Sequence, residues 1–288
     1  MRSLLFVPGD DERKIAKALA SNADALILDL EDAVAPGRKE AARAVTAGAL
    51  SAARTSKKLF VRVNALDTGL TLDDLGAVMG VGPFGIVLPK CRGGDDARLL
   101  GHHLSAIEAR RSMAPGLTRI LAIATENGAS MFGLGTYAGV DRLCGLMWGG
   151  EDLAADLGAS ANRDAQGRYT DAFRLARTLT LCGAAAAGVD AIDAVHVNFR
   201  DLAGLRTEAG EAARDGFAAK AAIHPDQVEA INAAFTPSAE ALAWATRVVE
   251  AFAAAPGAGA IALEGRMIDR PHERLARRLL ARAVAGQG

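Results

Sequence analysis

Short apolar runs recur along the chain, and ionisable, prolyl or glycyl residues crowd against their C-terminal ends. The runs predict strands over 4–7, 25–30, 59–63, 85–88, 119–125, 142–147, 194–198 and 218–223. Between them, Ala-rich stretches such as 13–21, 38–53, 95–110 and 170–187 carry helical spacing. Strands that are apolar throughout, rather than alternating, are buried on both faces, as in a parallel sheet covered by helices. Eight of them predict an α/β fold of the (β/α)8 TIM-barrel type. The rival, a doubly wound open sheet, carries a Gly-rich turn after its first strand, and Pro8-Gly9-Asp10 matches that fingerprint poorly. Beyond the eighth strand the pattern changes. Helices are expected over 225–235 and 237–255, followed by a Pro-Gly-Ala-Gly-Ala break at 256–260. A segment at 260–268 then leads to a short terminal helix from His272. The division expected is a barrel over 1–235 and a C-terminal helical extension or lid over 236–288.

In a parallel barrel the C-terminal strand ends share one mouth, and chemistry collects there. The first strand ends in Pro8-Gly9-Asp10 and the second in Asp29, Glu31 and Asp32; the third carries Arg62 and Asn64. The fourth delivers Lys90, the fifth Glu126, the sixth Glu151 and Asp152, the seventh Arg200 and Asp201, and the eighth His224. Glu126 and Asp152 close neighbouring strands. Two carboxylates so placed repel each other unless a cation lies between them, and a hard divalent ion, Mg²⁺ or Mn²⁺, suits oxygen ligands. Gly149-Gly150 lets the backbone approach a ligand beside Asp152. Arg62, flanked by valines on a buried strand, needs an anion, either a substrate oxygen or a structural partner; the run Asp29-Leu-Glu31-Asp32 could bind the metal directly, or hydrogen-bond to Arg62 or to metal-bound water. His224 precedes Pro225 in a restricted, extended position, which suits a structural or cofactor-contact role. Cys91 has no thiol-triad partners nearby and is read as a small residue.

Composition narrows the class. A net charge of −1 and a pI near 6.5 give no field that would attract nucleic acid or an anionic membrane. Cys91, Cys144 and Cys182 lack C-x-x-C spacing and suit a reducing compartment. The first apolar run is too short for a signal peptide or a membrane span, so a cytoplasmic location is expected.

The ordered set of motifs resembles the citrate lyase beta-subunit family of acyl-CoA carbon–carbon lyases, which includes malyl-CoA and citramalyl-CoA lyases. The resemblance runs through Arg2-Ser-Leu-Leu-Phe-Val-Pro-Gly-Asp10, Leu28-Asp-Leu-Glu-Asp-Ala-Val-Ala-Pro36, Val61-Arg-Val-Asn64 and Leu88-Pro-Lys90. It continues through Thr125-Glu126, Gly149-Gly-Glu-Asp-Leu153, Ala222-Ile-His-Pro225 and Gly265-Arg-Met-Ile-Asp269. It implies Mg²⁺ held by Glu126 and Asp152, and Arg62 on the reacting oxygens. It implies a CoA thioester along the loops after the first and last strands, near Pro8, Gly9, Arg13, Ile223, His224 and Pro225. Asp29, Glu31, Asp32, Lys90, Gly149 and Gly150 would complete the substrate site. It also implies a homotrimer or hexamer in which Asp269 is donated by a neighbouring subunit. Two departures stand out. The first loop, Asp10-Asp11-Glu12-Arg13, is acidic where many similar proteins are basic, and Asn127 follows Glu126 where they commonly carry Thr.

The implied reaction is a reversible aldol cleavage of a 3-hydroxy-3-carboxyacyl-CoA to an acyl-CoA and a 2-oxo acid. Hydrolysis of the same thioester is one alternative. An aldolase for free 2-oxo acids, and a subunit working on an acyl-carrier-protein thioester in a larger complex, are others. Malyl-, citramalyl- and citryl-CoA differ by one small group and stay open at this level.

Overall fold

The computed structural model describes residues 1–285. Eight parallel strands close into a barrel in sequence order, with the first paired to the last. They are β1 (Ser3–Pro8), β2 (Ala25–Asp29), β3 (Lys58–Arg62), β4 (Gly85–Leu88), β5 (Arg119–Ile123), β6 (Leu143–Met147), β7 (Asp190–Asp193) and β8 (Ala219–Ala222). The helices on and between them are α1 (Glu12–Leu19), α2 (Lys39–Ala52), α3 (Thr71–Val78), α4 (Gly94–Arg110), α5 (Gly128–Gly133), α6 (Glu151–Leu157), α7 (Asp171–Ala187) and α8 (Leu202–Asp215).

Two packed layers explain why the strands read as continuous apolar runs. Leu4, Ile27, Phe60, Val87, Leu121, Met147 and Ile192 fill the barrel interior. Leu5, Leu26, Leu28, Val61, Ile86, Ala122 and Leu146 face the helices in a second, larger core. Helix ends follow local chemistry. Asp11 caps α1 by accepting from the Lys14 amide at 3.0 Å, and Asp201 caps α8 by accepting from Gly204 at 2.9 Å. At the foot of the barrel Arg142 forks onto buried Glu108 of α4 at 2.8 and 2.7 Å, while Glu108 also accepts from the Gly116 and Thr118 amides.

β7 departs from the expected 194–198. The strand is Asp190–Asp193, four residues earlier, and it ends on a fully buried aspartate. Apolar content misled the reading, because Asp193 is neutralised by partners distant in sequence. Lys220 Nζ donates to it at 2.8 Å, Arg177 Nε at 2.9 Å and Trp148 Nε1 at 2.7 Å. Lys220, itself fully buried, also donates to Glu208 of α8 and to the Ala194 carbonyl, both at 2.6 Å.

After β8 come a short 3-10 turn, Pro225–Gln227, then α9 (Val228–Phe235) and α10 (Ala239–Ala254). The segment at 260–268 is a β-hairpin, β9 (Ala260–Leu263) and β10 (Arg266–Asp269), not a plain linker. Its two-residue turn, Glu264 (φ 48°) and Gly265 (φ 74°), has the left-handed dihedrals that match strand twist in a tight hairpin. The last helix, α11, begins at Arg270 rather than His272 and runs 16 residues to Ala285, so it is not short. Ala245, Val248, Phe252, Ile268 and Ala276 form a small core of their own in this tail. Near its end, Ala281 and Arg282 line a cavity with Met1, Arg2, Asp190 and Ala218, at the strands' N-terminal ends. The tail therefore reaches the foot of the barrel, opposite the mouth. Among the described residues no helix is long and apolar enough to cross a membrane.

Candidate active site at the barrel mouth

Glu126 follows β5 and Asp152 lies in the first turn of α6, just after β6. Both line a chamber of about 510 Å³ at the C-terminal strand ends, together with Lys90, Asn127, Arg92 and Asp156. Glu126 is buried, and its Oε2 accepts from the Lys90 backbone amide. Burial pushes its carboxyl up to about 8; the Lys90 amide and Arg62 oppose that shift, and the charge of Asp152 adds to it. Gly149 is the reason Glu126 fits. A Cβ there would lie 2.7 Å from Glu126 Cγ. Gly150 is tight too, its Cβ position 3.1 Å from the Trp148 ring. Glu151 turns outward and accepts from Asn162 at 2.7 Å.

Arg62 closes β3 and grips the loop after β2. Its Nε and Nη2 fork onto Asp29 at 2.7 and 2.6 Å, and Nη1 pairs with Glu31 at 2.8 Å. Asp29 is engaged on both oxygens, because it also accepts from the Glu31 and Ala33 amides at 2.8 and 3.1 Å. It orients Arg62 and is closed off from a ligand. Of the five guanidinium N–H groups of Arg62, only the one on Nε and one on Nη2 are hydrogen-bonded, Nη1 meeting Glu31 as an ion pair, so the side chain keeps donors for a further oxygen. Burial raises the Glu31 carboxyl above its usual range despite Arg62 and Lys90. Lys90 Nζ reaches Glu31, Asp32 (3.2 Å) and Asp152 (3.7 Å).

The remaining expected residues are spread around the rim. Pro8 ends β1, and Gly9 packs so closely that a Cβ would lie 2.6 Å from both the Asp29 carbonyl and Thr46 Oγ1. Arg13 is exposed on α1. Beside that acidic first loop stands Arg38, which sequence reading missed; its Nε donates to Asp10 at 3.1 Å. His224 stacks on Phe199, with ring centroids 4.9 Å apart, and accepts from the Asp226 amide, while Ile223 is exposed next to it. His224 and Pro225 thus open the 3-10 turn. Asn127 caps α5, accepting from Ser130 at 2.9 Å. Cys91 is buried beside Tyr137, and burial pushes its thiol up to about 11. Arg92, Asp96, Asp67 and Asp156 also line the chamber. Arg92 and Asp67 lie further along the loops after β4 and β3, Asp96 on α4, and Asp156 one turn beyond Asp152 on α6, each a few residues past the strand-end positions the apolar pattern marks. Asp269 does not line the chamber. It sits at the end of β10, bound to His272 Nδ1 at 2.5 Å, a contact that holds its carboxyl below the usual range.

Among the described residues no group of three or more His, Cys, Asp or Glu side chains forms a metal cage. Two carboxylates lining one chamber still suit Mg²⁺, which keeps several waters or substrate oxygens and takes one or two protein ligands. The steric cradle at Gly149, which leaves room for Glu126 and for nothing larger on its own Cα, fits that use.

Comparison with known proteins shows the family and agrees with the barrel fold. The family model described as HpcH/HpaI aldolase/citrate lyase matches residues 2–225, and that of a C-C bond lyase of the TIM-barrel fold matches 169–285. A citrate lyase subunit beta-like protein of Mycobacterium tuberculosis is 40% identical over 97% of this chain and 94% of its own. A mitochondrial citramalyl-CoA lyase of Rattus norvegicus is 33% identical over 99% and 86%. A (3S)-malyl-CoA thioesterase of Cereibacter sphaeroides is 34% identical over 99% and 95%. The crystal structure of CitE from M. tuberculosis, in complex with magnesium, acetoacetate and coenzyme A, superposes with a TM-score of 0.79 at 37% identity, covering 98% of each chain.

Proposed function

The chain belongs to the HpcH/HpaI aldolase/citrate lyase family, and from that premise we propose that it is a Mg²⁺-dependent carbon–carbon lyase acting on a 3-hydroxy-3-carboxyacyl-CoA thioester. The substrate class is malyl-, citramalyl- or citryl-CoA-like, and the products are acetyl-CoA or another acyl-CoA and a 2-oxo acid. The observation that carries the reading is the Glu126–Asp152 pair lining one chamber at the barrel mouth.

Glu126 and Asp152 would hold the ion, which when bound supplies Lewis-acid polarisation of the substrate's hydroxyl and carboxylate oxygens. Arg62, fixed by Asp29 and Glu31, aims its free N–H groups at an oxygen whose charge grows as the bond breaks. Because its partners hold it in place beforehand, little reorganisation accompanies that step. Cleavage releases the hydroxyl proton to water in the open mouth and leaves a thioester enolate, which must gain one. Asp269 is the proposed donor once it has taken up a proton from solvent, because its contact with His272 keeps the carboxyl ionised at rest. In the condensation direction it removes that proton from acetyl-CoA, and its lowered carboxyl is already in the basic form for this. Neither Arg62 nor Asp269 lines the chamber itself, but Arg62 closes β3 at its edge while Asp269 ends the hairpin of the C-terminal tail, so we assign Asp269 to a neighbouring subunit's mouth in a homotrimer or hexamer. The CoA moiety is placed along Pro8, Gly9 and Arg13 on one side and Ile223, His224 and Pro225 on the other. Glu31, Asp32, Lys90, Gly149 and Gly150 would border the acyl end.

Hydrolysis of the same thioester is the second reading, supported by the thioesterase relative. The three cysteines are free, which suits the cytoplasm as the proposed location. The test is a steady-state panel of malyl-, citramalyl- and citryl-CoA with Mg²⁺, following 2-oxo acid and free thiol separately. Lyase action releases the oxo acid without thiol, and hydrolysis releases thiol without oxo acid. Full activity after exhaustive chelation would remove the metal from the mechanism.

A further inference from the structure

We propose that Lys90 is a built-in counter-cation of the Glu126–Asp152 pair: it holds the two carboxylates in place before a divalent ion arrives and sets how tightly that ion binds. The inference rests on reading that pair as the metal site.

Four carboxylates crowd the mouth between β2 and β6: Glu31, Asp32, Glu126 and Asp152. Left alone, they would repel one another. Arg62 neutralises part of this charge, but its fork is committed to buried Asp29 and it pairs with Glu31 only. Asp32 and Asp152 have one cation within ion-pair distance among the described residues, and it is Lys90.

The backbone makes this double contact. Lys90 has φ of +52°, a left-handed conformation that a side chain with a Cβ adopts only at a cost of about 1–2 kcal/mol. In that bend its N–H donates to Glu126 Oε2, while its side chain turns back across the mouth to Glu31, Asp32 and Asp152. One residue thus reaches both members of the pair, Glu126 by its amide and Asp152 by its ammonium. Such strain persists only where surrounding structure enforces it, and here it serves the electrostatics of the mouth.

The two grips differ in what they can do. The amide is fixed. The ammonium ends a flexible four-carbon stem and is one-third exposed, so it can move. A divalent ion entering between Glu126 and Asp152 meets a positive charge 3.7 Å from Asp152. Like charges at such range repel strongly in a partly buried site. The ammonium must then withdraw toward Glu31 and Asp32, which it already touches. Ion entry therefore tightens the link between Lys90 and the loop after β2, on which Arg62 also rests.

The experiment measures Mn²⁺ binding to the full-length, metal-stripped chain by electron paramagnetic resonance at fixed ionic strength, with no substrate present. Lys90→Met and Lys90→Gln remove the ammonium and keep the backbone amide. They should bind Mn²⁺ about tenfold or more tightly than wild type. They should also melt at lower temperature without metal and gain more from its addition. Lys90→Arg keeps the charge and should not tighten binding. If one neutral variant does not fold, the other together with the arginine variant still reads the effect. Neutral variants that bind Mn²⁺ as weakly as wild type, or more weakly, would overturn the counter-cation role and leave the metal site standing. Failure of wild type itself to bind Mn²⁺ would overturn both.

Discussion

Replacing Gly149 with alanine puts a methyl carbon 2.7 Å from Cγ of Glu126 and 3.3 Å from Oε1, where ordinary contact begins at 3.4 Å. Something must move by about 0.7 Å. Glu126 cannot swing freely, because it is buried and its Oε2 is tied to the Lys90 amide. The strain of overpacking a tight site is about 1–3 kcal/mol, which in a chain of this size lowers the melting temperature by a few degrees. The functional cost should be larger than the structural one. Metal–oxygen distances tolerate only about 0.2 Å, and misplacing a reacting group by about 1 Å costs on the order of a hundredfold in rate. Gly149→Ala should therefore keep its circular dichroism and oligomeric state, bind Mn²⁺ about tenfold more weakly, and turn over about ten- to a hundredfold more slowly. Gly37→Ala, where an added Cβ meets nothing within 4 Å, is the control for a general glycine effect. A folded Gly149→Ala chain with wild-type Mn²⁺ affinity and turnover would refute the argument that this glycine positions Glu126.

Three further outcomes follow. Arg62→Lys should lower turnover more than it raises KM, since lysine lacks the fork that meets both Asp29 and an oxygen with growing charge; unchanged turnover would reduce Arg62 to a structural ion pair. Burial alone would raise the Glu108 carboxyl, but Arg142 and two amides outweigh it and hold it at about 2 against an ordinary 4.5. Its stabilisation is thus present above about pH 4.5 and lost as pH falls toward 2, and amounts to about 3 kcal/mol. Urea unfolding across that range should show the loss in wild type and a flatter limb in Glu108→Gln, with equal slopes counting against it. For Asp269, an Asp269→Ala chain and an Asp152→Ala chain, each inactive, should regain partial activity when co-assembled. Mixed oligomers that stay inactive would return Asp269 to its own barrel or to helix capping.

Much of the architecture was legible because barrel strands are buried on two sides and so read as unbroken apolar runs. The same rule placed Glu126 and Asp152 at adjoining strand ends, where the chamber lies. It failed at β7, where Asp193 is tolerated only because Lys220, Arg177 and Trp148 converge on it from elsewhere. No local pattern announces a partner nearly thirty positions away. The tail hairpin escaped notice for a different reason. Its turn, Glu264-Gly265, lacks the Asn-Gly or Asp-Gly signature, and its strands are half exposed. The engagement of Arg62 with Asp29 was one of two open readings, and only the register that pairs them side by side, Asp29 against Arg62, separates them. Arg92, two residues beyond Lys90, and Asp156, one helical turn beyond Asp152, lie within reach of the same strand-end rule, while Asp96 comes in on α4.

The buried charges behind β7 also constrain how this sequence can drift. Asp193, Lys220, Glu208 and Arg177 neutralise one another across two strands and two helices. Losing fully buried Asp193 or Lys220 strands an uncompensated charge in the core, at a cost of about 3–5 kcal/mol, a large part of a domain's whole margin, while Glu208 and Arg177 also lean on Arg163 and Asp215 at the edge of the group. Replacing the set by apolar residues of similar volume would cost far less, yet no single-step route leads there. Descendants of this chain should therefore keep the quartet intact or exchange it as a block, with few viable intermediates between. The barrel mouth can be retuned one residue at a time, while the wall behind β7 is inherited whole.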